Sequence, residues 1–254
     1  MNSMTEEQKI AYETNGFLTI PGALSAEELS EVRDGAAKAE AIWRADASLP
    51  GTRSATLEQV QAPIEYDNRL LALLWHPKVF PVVRELLGDD VSMIDNDYFI
   101  TPPHTPSTHA GWHHDVGLGG IYHPLSTVMV KVFFLLSDVN ANSGGTAMIP
   151  GSYRFPQNYK FPEVDDPRQM PGAIQMTGKA GDAYLFNGRT YHAAVNNESD
   201  NPRRVLIYNY GHFWMKIWQG YEPSERLITE AKASGDPVRM QLLGIGDAYG
   251  QRLT

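Results

Sequence analysis

A β-sandwich or barrel with helices packed outside it is the fold class this sequence predicts. Helical periodicity and capping signals fill roughly the first third of the chain, and short apolar runs separated by Gly and Pro turns fill most of the rest. No linker, internal repeat or low-complexity tract divides the 254 residues, so these elements belong to one domain. The expected class is therefore mainly β with flanking helices.

The elements follow in order. Residues 4–16 read as a helix, with Thr5 as cap, Gln8 three residues on and Gly16 as the stop. Phe17 to Ile20 is a short strand ended by Pro21-Gly22. Ser25 opens a second helix with acids in its first turn, and Leu29, Val32 and Ala36 recur at helical spacing past Trp43, which packs within it. Residues 46–56 read as loop around Pro50-Gly51. Asn68 to Leu87 is helical with a break at Pro77, and Gly88 ends it. The pattern then changes to strands: Val91–Ile100, Met129–Leu136, Thr146–Ile149, Ala183–Phe186, Ala193–Val195 and Val205–Tyr210. The tail from Phe213 to Leu243 is first aromatic, with Trp214, Trp218 and Tyr221, then helical from Glu225 to Ser234.

Composition narrows the function classes. A net charge of −9 argues against a nucleic-acid surface, which needs clustered Lys and Arg. The absence of cysteine excludes disulfides and thiolate metal sites. No run of 18 apolar residues spans a membrane, and the N-terminus lacks an apolar signal core, so a cytoplasmic protein is expected.

The stretch Trp112-His113-His114-Asp115 carries the first chemical signal. On an extended strand, His113 and Asp115 point the same way. With a third ligand from a distant strand they would make a two-His, one-carboxylate face that suits non-haem Fe(II) oxygen chemistry. The pair alone is weak: with 8 His and 30 acids, chance gives about one His-x-acid triplet. His192 follows the strand that begins Gly181-Asp182. Arg203 and Arg204 head an apolar strand, where adjacent residues face opposite sides. One guanidinium would then enter the barrel and need a partner, for which a ligand carboxylate is the natural candidate. Lys131 shares a strand face with Phe133. If that face is inward, Lys131 needs a carboxylate; an outward Lys on an edge strand is the alternative.

Trp112-His113-x-Asp115, Asn142-x-Gly144-Gly145 with Ile149-Pro150-Gly151-Ser152, Gly181-Asp182 with His192, and Arg203 together resemble the phytanoyl-CoA dioxygenase family. The resemblance runs from Asn15-Gly16-Phe17 to Leu242-Leu243-Gly244. It implies a double-stranded β-helix, a cupin-like jelly roll with helices against one sheet. It also implies Fe(II), 2-oxoglutarate as cosubstrate and O2. His113, Asp115 and His192 match the catalytic iron ligands, and Arg203 matches the arginine that pairs with the distal carboxylate of 2-oxoglutarate. Arg204 is then structural or exposed, and His114 faces away from the metal. His104, His109 and His123 flank the motif as polar loop residues.

Retention of Asp115 favours oxygenation over halogenation, since related halogenases carry a small residue there. One departure stands out: Ala194 replaces a hydroxyl residue that family members often place two after the distal His. Thr101, Lys131 and Phe133 are the candidates to supply the cosubstrate contact instead. The implied reaction is hydroxylation of an unactivated C–H bond of a small organic substrate, of the specialised-metabolite kind, with release of succinate and carbon dioxide. Desaturation, epoxidation, ring rearrangement, a cupin-like isomerase and a non-catalytic jelly-roll binding protein remain open. Residues 50–66, 102–127, 153–180 and 213–221 are expected to line or cover the pocket. A monomer or homodimer is expected, with no nucleic-acid or membrane partner.

Overall fold

A computed structural model describes residues 4–106, 111–116, 126–156, 158–215 and 221–245. Thr5 caps the first helix, α1 (Glu6–Asn15), and Gln8 reaches back to the Thr5 amide, closing the expected capping box. Gly16 ends α1 with φ 81°, and a Cβ there would lie 2.5 Å from Tyr153, so only glycine fits. β1 (Phe17–Ile20) follows. Ser25 and Glu28 repeat the box on α2 (Ala26–Ala45), which buries Val32, Ala36, Ala39 and Trp43. The Trp43 indole donates to the Pro50 carbonyl at 2.9 Å, and the Arg53 guanidinium lies 3.8 Å above the ring.

The expected loop at 46–56 is partly strand. β2 (Gly51–Arg53) pairs with β3 (Glu58–Gln61) as a polar hairpin on the sheet edge. Its residues lack apolar alternation; the strand forms because β3 docks on β4 (Val91–Thr101). Before β4 come α3 (Asn68–Leu71), a 3-10 turn at Ala72–Trp75 and α4 (Phe80–Leu87), with the break at Pro77 and the stop at Gly88 as expected. The remaining strands are β5 (Met129–Leu135), β6 (Thr146–Met148), β7 (Ile174–Gln175), β8 (Ala183–Asn187), β9 (His192–Ala194) and β10 (Arg203–His212). β9 begins one residue earlier than expected and so includes His192. α5 (Glu225–Ser234) matches expectation, and α6 (Pro237–Leu242), capped by Asp236, adds a further helix.

Two sheets result. The larger runs β1-β8-β5-β10-β4-β3-β2 and the smaller β7-β6-β9, all antiparallel. This is the jelly-roll architecture anticipated. Alternation sorts the large sheet into two faces. Val130, Val132, Phe134, Leu206, Tyr208 and Tyr210 face the helices. The Tyr208 and Tyr210 hydroxyls donate to the Leu70 and Leu74 carbonyls at 2.8 and 3.0 Å, pinning the helical layer. Phe133, Leu135, Tyr184, Phe186, Val205 and Ile207 face inward and pack with Met148 of the small sheet. No described helix is long and apolar enough to cross a membrane.

Candidate active site

The His-x-Asp segment is not the regular strand its spacing suggested. His113 makes a single antiparallel bridge to His192, with reciprocal backbone hydrogen bonds of 2.9 and 3.0 Å, and Asp115 sits in a bend. The Asp115 and Val116 amides both donate to the Gly188 carbonyl, at 2.9 and 3.2 Å, which turns the chain so that its carboxylate meets the two rings. Gly188 is closely packed there: a Cβ would lie 2.9 Å from the Met129 sulfur.

One ligand atom from each of His113, Asp115 and His192 lies within 4.8 Å of the others. Both imidazoles present Nε2 to Asp115, at 3.6 Å from Oδ1 for His113 and 3.5 Å from Oδ2 for His192. Each Nδ1 is turned to a backbone carbonyl, of Gly111 at 2.7 Å and of Thr190 at 2.8 Å. Donation from Nδ1 fixes the tautomer and leaves the Nε2 lone pair for a metal. Burial pushes His192 down to about 4, so its ring is neutral at neutral pH.

Lys131 settles the question left open above. β5 lies between β8 and β10, so Lys131 is on a central strand and points inward. Its ammonium donates to Asp115 Oδ1 at 2.9 Å. Burial would raise the Asp115 carboxyl, but the Lys131 ammonium, by its charge and its hydrogen bond, holds it well below the carboxylate range. Asp115 Oδ2 is buried and has no hydrogen-bond partner. A buried anionic oxygen without a donor, facing two imidazole lone pairs, fits a divalent metal ion.

Arg203 and Arg204 divide as alternation requires. Arg204 turns to the helices and pairs with Glu40 at 2.6 Å, beside the Tyr98 hydroxyl. Arg203 is buried on the inner face opposite Thr101. It donates only weakly to the Tyr184 hydroxyl, at 3.4 Å, and its Nε has no partner. None of the described carboxylates pairs with it. Tyr184 in turn shares a 2.9 Å hydrogen bond with Thr146 and stacks on Phe133 at 4.8 Å. Tyr184 and Thr146 supply hydroxyl groups beside Arg203, at a site where Ala194 has none. The sequence reading missed both, because neither belongs to a motif.

His114 turns away from the triad as expected, contacting the Arg189 carbonyl at 2.5 Å. It borders a cleft of about 810 Å³ formed with Trp112, Tyr191, Phe161 and their neighbours. Phe161 stacks on Tyr191 at 3.9 Å and Tyr191 on Trp112 at 5.3 Å. This cleft is built from the residues that alternate with the ligands, so it adjoins the triad without containing it. Part of 153–180, from Tyr159 to Gln169, lines this cleft, which lies beside the triad rather than over it. His104 is an exposed residue facing Asp200 at 3.0 Å. His109, His123, Trp218 and much of 102–127 lie outside the described residues.

Residues 12–205 match the family model for phytanoyl-CoA dioxygenase. The chain belongs to that family. Membership carries the dioxygenase assignment, and the triad is the described cluster able to hold its metal. An ectoine dioxygenase from Bordetella bronchiseptica is 27% identical, covering 82% of this chain and 76% of its own. A probable alpha-ketoglutarate-dependent hypophosphite dioxygenase from Stutzerimonas stutzeri is 22% identical, covering 94% and 91%. Among solved structures, HygX from Streptomyces hygroscopicus, with nickel, 2-oxoglutarate and hygromycin B bound, superposes with a TM-score of 0.67. It is 17% identical over 85% of this chain and 90% of its own. The SnoN epimerase from nogalamycin biosynthesis gives 0.63 at 21% identity, covering 82% of each chain. At these identities the structural likeness speaks to the fold.

Proposed function

We propose that this dioxygenase is an Fe(II)- and 2-oxoglutarate-dependent hydroxylase of a small organic substrate. The observation that carries the reading is two buried side chains with unsatisfied polar atoms: Asp115 Oδ2 within the His113–Asp115–His192 cluster, and Arg203 Nε, which no described carboxylate partners. The first fits a metal ion, and the second fits the far carboxylate of a diacid.

His113 and His192, through Nε2, and Asp115, through Oδ2, are the groups that would hold iron. Lys131 holds the other carboxylate oxygen, fixing which one faces the metal. Arg203 grips the distal carboxylate of 2-oxoglutarate, with Tyr184 and Thr101 beside it and Phe133 as the apolar wall. With iron, 2-oxoglutarate and O2 bound, the centre supplies the oxidising power to break an unactivated C–H bond and releases succinate and carbon dioxide. The cavity's part is to hold the substrate so that one C–H bond lies nearest the metal and to keep water away. Lys131, placed by sequence among the cosubstrate contacts, acts here through Asp115. A cytoplasmic location, with 2-oxoglutarate at hand, fits this reading.

Anaerobic titration with Fe(II) and then 2-oxoglutarate tests it. The expected result is a weak visible charge-transfer band that saturates at one equivalent, and succinate formation once air is admitted. No band and no succinate would refute it. Product analysis separates hydroxylation from desaturation, epoxidation and rearrangement.

A further inference from the structure

The inner face of the large sheet carries a second charged group that the metal chemistry does not use. Asp95 and Asp97 are two apart on β4 and both buried. Asn209 of β10 stands opposite Asp95, and the β4–β10 register shifts immediately after it, a bulge that re-aims the side chains there. Gln59 donates to Asp97 Oδ1 at 2.8 Å, and Asn209 Nδ2 lies 3.4 Å from Asp95 Oδ2. Asn209 Oδ1, on the same amide, is buried with no hydrogen-bond partner.

Asp95 and Asp97 share a side-chain hydrogen bond, and the acceptor left over at this spot is Asn209 Oδ1. The charge on Lys131, across Asn209, favours ionisation of both acids. The nearest cation across the ladder, Lys131, is opposite Asn209 but engaged with Asp115 at 2.9 Å. Burial raises both carboxyl groups, and the charge on Asp95 raises Asp97 further. Two buried carboxylates side by side oppose ionisation unless a cation covers them.

Position on the sheet gives the cluster a use. Asn209 separates Lys131 on β5 from Asp95 on β4, so the acids lie two strand spacings, about 10 Å, from the lysine that contacts Asp115. Arg203 lies at the other end of the same face of β10, about 20 Å along the strand. The inner face of the sheet thus has a cationic end, at Arg203, suited to a diacid and an acidic end, at Asp95 and Asp97.

We propose that Asp95, Asp97 and the Asn209 carbonyl form a substrate-recognition end of this inner face and bind a protonated nitrogen of the substrate, an ammonium or amidinium group. This rests on the oxygenase reading and names its substrate class. Once bound, the cation supplies the donor that Asn209 Oδ1 lacks and anchors the substrate two strands across from Lys131.

Two arms test it on the full chain. The first is thermal melting with cyclohexylammonium, against cyclohexanol and cyclohexanecarboxylate at matched ionic strength. The ammonium is expected to raise the melting temperature saturably, and the alcohol and carboxylate to leave it unchanged. In the Asp95→Asn/Asp97→Asn double variant, half-saturation should need at least ten times more ammonium. These amides relieve like-charge repulsion, so the variant folds. An equal response to the alcohol, no response, or an unchanged double variant overturns the proposal.

The second arm screens amines and their neutral isosteres for stimulated succinate formation in the iron-loaded enzyme. Stimulation by amines is expected. Stimulation by neutral or anionic compounds alone overturns the cation site while leaving the oxygenase reading intact. Absence of both succinate and the charge-transfer band defeats the oxygenase reading, and the melting arm still scores the cation site separately.

Discussion

Arg203→Ala separates ligand binding from folding at one residue. Arg203 is buried, donates weakly to Tyr184 at 3.4 Å and leaves Nε unpaired, so the free protein gains little from it. Its guanidinium lies 5.9 Å from the Phe133 ring centroid, a distant cation–π contact at best. Removing it therefore costs the fold little. With 2-oxoglutarate bound, the same change leaves a buried carboxylate without its partner, a loss of about 3–5 kcal/mol. At 1.4 kcal/mol per factor of ten, the dissociation constant for 2-oxoglutarate should rise by about two to three and a half orders of magnitude. Arg203→Lys keeps the charge but not the planar fork and should fall between. Isothermal titration of 2-oxoglutarate into anaerobic, metal-loaded protein measures this directly, with thermal melting of the metal-free protein as control. Affinity within threefold of wild type would refute the role, as would a melting temperature lowered as far as the loss of a core residue lowers it.

The neighbouring Arg204→Ala should behave oppositely, losing about 1–2 kcal/mol of stability with its Glu40 and Tyr98 contacts and leaving 2-oxoglutarate affinity intact, as urea melts and titration would show. His192→Ala should abolish stoichiometric Fe(II) binding and turnover, read by metal analysis after gel filtration. Lys131→Met frees Asp115 Oδ1 and should weaken metal affinity by about 10–100-fold, measurable by competition with a chromogenic chelator. Asp97 has its carboxyl raised by burial and by Asp95, so the folded state holds its proton where the unfolded chain has released it. Stability attributable to this group therefore falls as pH rises from the ordinary aspartate range through the raised folded value. Asp97→Asn should remove that decline and raise the melting temperature at neutral pH, on the order of a few degrees; a pH series of melts that stays parallel to wild type would contradict it.

What could be read from the sequence depended on whether the signal was local. The Thr5 and Ser25 capping boxes are formed by residues three apart, so they were legible, as were the Pro77 break and the Gly88 stop. The convergence of His113, Asp115 and His192 was legible through motif order, although the His113–Asp115 geometry comes from a bend and a bridge to His192 rather than from a strand. The β2–β3 hairpin was hidden because its residues are polar and its pairing is decided by β4. Asp95 and Asp97 were hidden for the converse reason. In Asp95-Asn96-Asp97 nothing local says that the carboxylates face inward; that depends on the sheet having helices on its other face. The Lys131 orientation likewise followed only from β5 being central.

The distribution of charge inside the jelly roll argues for ligands more strongly than any single motif. Much of the inner face is Phe, Tyr, Leu, Val, Ile and Met, an environment in which an unpaired ion costs several kcal/mol. Yet it holds Arg203 without a described carboxylate, Asp115 with one oxygen satisfied by Lys131 and the other by nothing, and two adjacent acids whose nearest cation, Lys131, is engaged with Asp115. Arg203 and the acid pair sit at opposite ends of β10, too far apart along the strand to neutralise one another. Pairing within the protein would have required moving only one of them. Their separation makes sense if each is completed by a different incoming group: a diacid at Arg203, a metal ion at Asp115 and a cationic nitrogen at Asp95 and Asp97. The metal would then lie between its cosubstrate and the bond to be broken.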